Sequence, residues 1–359
     1  MSKARVLAVS DLHLGYELSS INSPTRQTHF AEFLADLCSG ECDRLILNGD
    51  CFEGCIPGAA GSYDALGFPP TLATISRNFF KILTNKLRVE SLIWIPGNHD
   101  FTLWQKVATA CNVGTFTNNQ ASNLLLKHDD AILQHADSFL TDFFGAAAYS
   151  FKRISAAYPN YTIGRYYPYI TFHHGHFLDD LILGLHPTMD YGALALACGS
   201  SRPHVDVAND ETIFSIHQKT EKFIESLWRF NSRAREIEWA LLRRGQVAAT
   251  CPTFGFTTPV QNETINPTLL KYATWYAKTL LTDPTTPAPL GPRNNPCFLV
   301  VGHDHEGGRA NIPNLYDGAC FDLINLGGWT KEGGTTKLHQ HVMAWPYSSD
   351  TPDVFCFSG

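Results

Sequence analysis

The sequence predicts an α/β protein, and three observations carry that reading. Short β-rich apolar runs recur along the 359 residues, helical stretches lie between several of them, and the runs end in polar or glycine-containing turns. In chain order the runs are Val6–Val9 before Ser10-Asp11-Leu12-His13, Arg44–Leu47 before Asn48-Gly49-Asp50, and Ser91–Ile95 before Pro96-Gly97-Asn98-His99-Asp100. Two more are Tyr169–Phe172 before His173-His174-Gly175-His176, and Cys297–Val301 before Gly302-His303-Asp304-His305. Thr28–Leu37 and Ser76–Leu87 read as the helices between them. In such folds ligands bind beyond the carboxyl ends of the strands, and those ends hold nearly all the Asp, His and Asn clusters.

Other stretches read as additions to this scaffold. Phe101–Tyr161 runs unusually long before the next histidine-rich strand end, and residues 178–296 separate the last two histidine clusters. Within the second, Thr212–Arg244 carries Ile213, Ile216, Phe223, Ile224, Leu227, Ile237 and Leu241 at largely helical spacing, which predicts an amphipathic helix or a helix pair. Thr268–Leu281 reads as a further helix, and the five prolines of Asp283–Pro296 as an extended linker back to the core. Leu323–Leu326 and His341–Trp345 read as closing strands. The expected organisation is a single domain over 1–359 with 178–296 as a helical insertion or lid.

Composition narrows the class. Hydrophobic residues at 44% and charged residues at 17% fit a globular chain and not a disordered one. No apolar run reaches the ~18 residues a transmembrane helix needs. The first residues lead directly into a strand, leaving no room for a secretory signal, so a cytoplasmic location is expected. A net charge of −7 disfavours a protein whose main partner is nucleic acid. Ten cysteines are too sparse for a disulfide scaffold. Cys38-x3-Cys42 and Cys51-x3-Cys55 lack the usual zinc spacing and read as reduced, partly buried thiols.

The strand-end clusters carry the chemistry. Alternation puts Asp11 and His13 on one side of an extended chain, so both can reach one ion. Asp50 adds a carboxylate whose two oxygens can bridge two cations, and Gly49 before it permits close approach. Asn98 adds an amide oxygen, His99 an imidazole and Asp100 another carboxylate, while His303 and His305 supply two more imidazoles. Oxygen and imidazole donors without thiolate suit Mn²⁺, Fe or Zn²⁺.

Asp11-Leu12-His13, Gly49-Asp50-Cys51-Phe52-Glu53, Gly97-Asn98-His99-Asp100, His174-Gly175-His176 and Gly302-His303-Asp304-His305 resemble the five motifs of calcineurin-like metallophosphoesterases. Asn325-Leu326-Gly327-Gly328-Trp329 also resembles the strand that often follows the last motif. The resemblance implies a four-layer α/β/β/α sandwich with mixed sheets and a dinuclear metal site. Asp11, His13, Asp50 and His305 would hold one metal; Asp50, Asn98, His174 and His303 would hold the other, with Asp50 bridging. The family's second motif usually ends in aspartate, where this chain has Glu53, a place usually outside direct metal contact. His135, in Ile132-Leu133-Gln134-His135-Ala136-Asp137, competes with His174 for the fourth motif, since it lies about where the lipid A pathway pyrophosphatases of this family place that histidine.

The implied activity is hydrolysis of a phosphorylated small molecule or a phosphodiester. Two cations share a water and lower its pKa towards ~7, and the resulting bridging hydroxide attacks phosphorus in line. His99 is assigned as general acid for the leaving oxygen and Asp100 as the residue that orients it. Alternatives are a nuclease or a nucleotide or lipid diphosphate hydrolase of the same fold and, in a different class, a non-catalytic protein-binding scaffold. His339-x-His341 reads as a strand face, and Arg229, Arg233, Arg235, Arg243 and Arg244 as a solvated face of the insertion or as groups leaning over the metals. His176 either touches substrate or supports His174. Trp228, Trp239 and Trp275 read as packing residues.

Overall fold

The computed structural model describes residues 4–16, 19–53, 70–100, 103, 123–127, 144–163, 169–175, 297–303, 305, 307–316, 319–329 and 340–358. In chain order the elements are β1 (Val6–Val9), α1 (Pro24–Cys38), β2 (Glu41–Asn48), α2 (Pro70–Lys86), β3 (Arg88–Ile95), β4 (Asn123–Lys127) and β5 (Arg153–Ile163). They continue with β6 (Tyr169–His173), β7 (Cys297–Val301), β8 (Gly308–Tyr316), β9 (Ala319–Asn325), β10 (His341–Trp345) and β11 (Asp353–Cys356). The helices expected within 178–296 lie outside the described residues. Among those described, no helix is long and apolar enough to cross a membrane.

Two mixed sheets result. In the first, β1, β2 and β3 run parallel, and β10 and β11 extend the β1 edge antiparallel. In the second, β6 and β7 run parallel, as do β7 and β9, with β8 antiparallel at the edge. Alternation sorts the strand residues of the first sheet between two cores. Leu7, Val9, Leu45, Leu47, Leu92 and Trp94 pack on the helix side. Val6, Ala8, Ile46, Ile93 and Ile95 pack towards Ile170, Phe172, Phe298, Val300 and Ile324 of the second sheet. With both faces covered, the strands read as nearly continuous apolar runs.

The helices follow from local chemistry. Ser23 caps α1 by accepting from the Arg26 N–H, and Pro24 starts it where no N–H is needed. Ser39 ends it in the left-handed region at φ 56°, and the Gly40 N–H returns to the Ala35 carbonyl at 2.7 Å. Phe30, Ala31, Leu34 and Cys38 form its buried side, and Phe30 stacks on Phe79 of α2 at 6.2 Å between ring centroids. Cys38, Cys42 and Cys51 are buried thiols outside any disulfide; Cys55 lies outside the described residues.

One expectation is corrected. The end of Phe101–Tyr161 is not an addition but part of β5, the strand that joins the sheets. β5 pairs parallel with β3 from Arg153 to Ala156 and antiparallel with β6 from Asn160 onward. Pro159 falls between the two pairings. Its missing N–H argues against a strand in the sequence, yet suits the point where a strand changes partners.

Candidate metal centre

The strand-end loops meet at one edge of the sandwich and are tied by main-chain hydrogen bonds. Asp11 N–H donates to the Gly49 carbonyl (3.0 Å), His13 N–H to Asp50 (2.9 Å) and Gly302 N–H to His174 (2.8 Å). The Asn48 amide stitches the two sheets together, donating to the carbonyls of His173 (3.1 Å) and Val300 (3.3 Å). Among the described residues, Asp11, His13, Asp50, His303 and His305 are non-glycine residues at positive φ, between 43° and 78°. Each costs about 1–3 kcal/mol and persists where the surroundings over-determine it, most often at functional sites. The site also depends on missing side chains: a Cβ on Gly49 would overlap the His174 ring, and one on Gly97 would overlap the Asp50 carboxylate.

Two groups of donors share this edge. In one, His13 Nε2 and His305 Nε2 lie 3.0 Å apart, with Asp11 Oδ1 3.5 Å from the latter. In the other, His174 Nε2 stands 3.1 Å from Asp50 Oδ2 and 3.0 Å from Asn98 Oδ1, with His303 completing the group. The Asp50 carboxylate also reaches to 4.0 Å from His13 Nε2, so it stands between the two groups. Metal–donor bonds of about 2.0–2.2 Å separate neighbouring donors by about 3–3.5 Å, the range in which the distances given within each group fall. The ring tautomers agree. His13 donates Nδ1–H to Glu53 (2.9 Å) and His174 donates Nδ1–H to the Asn48 carbonyl (3.2 Å), so each turns Nε2 to the centre. The residues fit cations.

His99 has a different neighbour from the one its sequence position suggests. Its Nδ1 lies 2.9 and 3.0 Å from the two oxygens of Glu53, and its backbone N–H donates to Asp50 Oδ1 at 2.7 Å. Asp100, expected to orient that ring, instead accepts from the backbone N–H groups of Phe52 (2.8 Å), Gly97 (3.0 Å) and Cys51 (3.4 Å), and from the Trp94 indole (3.2 Å). Successive side chains leave the backbone in different directions, and here Asp100 points into the loop it braces. Glu53, passed over as a variant of the usual aspartate, is the carboxylate that joins His13 to His99. The signal lay in its place three residues after Asp50.

Electrostatics set the protonation. Burial raises the Asp50 carboxyl, but His174 and His99 outweigh it and hold it well below its usual range. Burial also raises Asp11, and His174 and His305 bring it down. Glu53 is lowered to about 2, burial being overcome by His99 and His13. Burial works against a charge on His174, yet Asp50 and Asp11 raise it to about 9. Burial and the Asp50 charge push Asp100 up to about 7. Three buried carboxylates that stay ionised and an imidazole that holds its proton mark a centre that attracts positive charge.

Of the residues expected at the site, Asp11, His13, Asp50, Asn98, His99, Asp100, His174, His303 and His305 all lie at this edge. Trp329 N–H donates to the Asp11 carbonyl at 3.2 Å, fastening the Asn325–Trp329 segment beneath it. His135, His176, His339, the arginines of the insertion and Trp228, Trp239 and Trp275 lie outside the described residues. A sequence model of the calcineurin-like phosphoesterase family matches residues 4–307, a span that takes in all five clusters. No curated protein matches the chain.

Proposed function

The chain belongs to the calcineurin-like phosphoesterase family, and from that premise we propose that it hydrolyses a phosphoester at a dinuclear centre bridged by Asp50. The observation that carries the reading is the position of that carboxylate. It is 1% exposed, 3.1 Å from His174 Nε2 on one side and 4.0 Å from His13 Nε2 on the other. Asp11, His13 and His305 complete one ligand group; Asn98, His174 and His303 complete the second. Two Mn, Fe or Zn ions bound there would supply Lewis acidity, lowering the pKa of a water and neutralising charge on the phosphoryl oxygens.

The protein's own groups do the rest. The His99 N–H holds Asp50 Oδ1 at 2.7 Å and so fixes which carboxylate oxygen faces His174. Glu53 holds His99 Nδ1, which makes Nε2 the ring atom that carries a proton to the leaving oxygen. Glu53 also holds His13 Nδ1, so one carboxylate orients both a ligand and the acid. No serine or cysteine nucleophile is required.

The test is metal-dependent turnover. Purified protein is assayed against p-nitrophenyl phosphate, bis-p-nitrophenyl phosphate and a nucleoside diphosphate, before and after chelation and after reloading with Mn²⁺, Fe²⁺ or Zn²⁺. The expected result is about two metal equivalents per chain, loss of turnover on chelation and recovery on reloading. The panel sorts monoester, diester and diphosphate preference. Undiminished turnover by metal-free protein would sink the reading.

A further inference from the structure

At the opposite end of the first sheet lies a polar cavity that phosphoester hydrolysis does not use. It measures about 230 Å³ and opens where β2, β3 and β5 begin, lined by Arg44, Arg153, Ser155, Tyr161 and Tyr347 among others. Arg44 precedes Asp50 by six residues on the same strand. At about 3.3 Å per residue the two are roughly 20 Å apart. An occupant of this cavity cannot touch the metal centre.

The lining also carries the carboxylates of Asp43 and Glu90, and cations outside the cavity, Arg5 and Lys152, tip its surroundings positive. Asp43 is taken by Arg5, whose Nε lies 3.0 Å from Oδ2 and whose second guanidinium nitrogen contacts Oδ1. Glu90 faces Lys152 at 3.6 Å. With both carboxylates matched, Arg44 and Arg153 are left over. Arg44 donates to the neutral Tyr347 hydroxyl at 3.3 Å. Arg153 has no hydrogen bond or ion pair among the described residues. The hydroxyls are in the same position. Ser155 is 4% exposed and Tyr161 half-buried, and among the described residues neither hydroxyl has a hydrogen-bond partner. Both hydroxyls line the cavity and reach its solvent, so they are available to a ligand that displaces water.

We propose that this cavity binds a small organic anion, its phosphate-like or carboxylate head paired with Arg44 and Arg153 and hydrogen-bonded by Ser155 and Tyr161. Guanidinium groups match both head groups through paired N–H donors. The volume falls below the roughly 300 Å³ at which drug-sized pockets begin, which limits the ligand to a small molecule. The Tyr161 phenol is raised above its usual pKa by burial, so it stays a neutral donor at physiological pH.

The test is calorimetric titration of the metal-loaded protein with three probes: phenylphosphonate, benzoate and the uncharged benzamide. Phenylphosphonate is expected to bind at two classes of site. Asp50→Ala removes the class at the metals and leaves the second. Arg153→Gln, at an exposed position that folding tolerates, weakens the second class about tenfold or more and leaves the first. Ser155→Ala gives a smaller loss in the same class. Benzoate against phenylphosphonate ranks carboxylate against phosphate-like heads. A single class abolished by Asp50→Ala, an unchanged isotherm in Arg153→Gln, or equal affinity for benzamide would each overturn the proposal.

Discussion

Two candidate ligands on either side of Asp50, His174 and His305, differ in how closed their surroundings are. His174 is fully buried, its Nδ1 held by a main-chain carbonyl and its ring pressed against Gly49. The His305 side chain is 20% exposed, with Gly328 against its ring. His174 is therefore set in the seam between the sheets and His305 stands at its mouth, although each group has two buried donors beside one half-buried histidine. Donors fixed by packing bind with little reorganisation, whereas donors at the mouth exchange with solvent more readily. The expected consequence is sequential loss. Under a chelator, the ion that His305 would hold with Asp11 and His13 is expected to leave before the ion at Asp50, Asn98, His174 and His303.

The largest effect belongs to the residue both ligand groups share. Asp50→Ala should leave less than one metal equivalent and lower turnover by about 10³-fold or more, because several kcal/mol of charge stabilisation go with the ions. Retention of two tightly bound ions would break the bridge assignment. The next largest separates the two groups. His174→Ala should lose one equivalent, keep the other and cost roughly 10²-fold in turnover, whereas His305→Ala should lose the other one. His135→Ala should keep both. Elemental analysis of the four variants decides, and metal loss in His135→Ala with retention in His174→Ala would move the fourth motif to the earlier strand.

Which parts of this were legible in the sequence has a physical pattern. β1, β2, β3, β6, β7 and β10 could be read because they are buried on both faces and most end in a ligand-bearing turn. β8 and β5 could not. β8 contains Pro313, and β5 carries Pro159 with small residues at Ser155, Ala156 and Ala157, which weakens every local strand signal. Their strand character is imposed by partners far away in sequence. At the site, residue types and spacing revealed the candidate ligands. The partner of His99 was hidden, because adjacency along the chain favoured Asp100 while the loop geometry delivered Glu53. His13 and His99 meet edge to face at 4.8 Å between ring centroids, a contact no spacing rule contains.

A smaller effect tests that pairing. His99→Ala should slow an alkyl phosphate by ~10²–10⁴-fold, and a nitrophenyl phosphate much less, since nitrophenolate leaves without a proton. Metal content should stay near two. Glu53→Gln should show the same dependence on leaving group and also weaken the ion held by His13, because Glu53 contacts both rings. Asp100→Asn should instead lower stability with little dependence on leaving group, since its carboxylate braces N–H donors of the loop. Equal losses on both substrates in His99→Ala would assign that ring to positioning, with the proton donor elsewhere.

The smallest effect is a slope with pH, and it belongs to the buried His174. In metal-free protein His174 is raised to about 9 although burial opposes its charge, because Asp50 and Asp11 outweigh that burial. A histidine raised above its usual ~6.5 stabilises the fold fully below that value, and the contribution is lost as pH climbs through 9. Asp100 acts in the same direction at lower pH. Its carboxyl is raised to about 7 by burial and Asp50, so its share is lost on the way up to neutrality. Glu53, lowered to about 2, matters only in acid, where its contribution disappears as pH falls. A thermal scan from about pH 7.5 to 9.5 therefore isolates His174. Metal-free protein should lose thermal stability across that window. Metal-loaded protein should lose less, since the cation has already displaced the proton from Nε2, and the gap between the two should widen with pH. His174→Asn should flatten the metal-free curve and His305→Asn should leave its slope intact. A flat curve for the wild type, or an unchanged slope in His174→Asn, would remove the distinction drawn between His174 and His305.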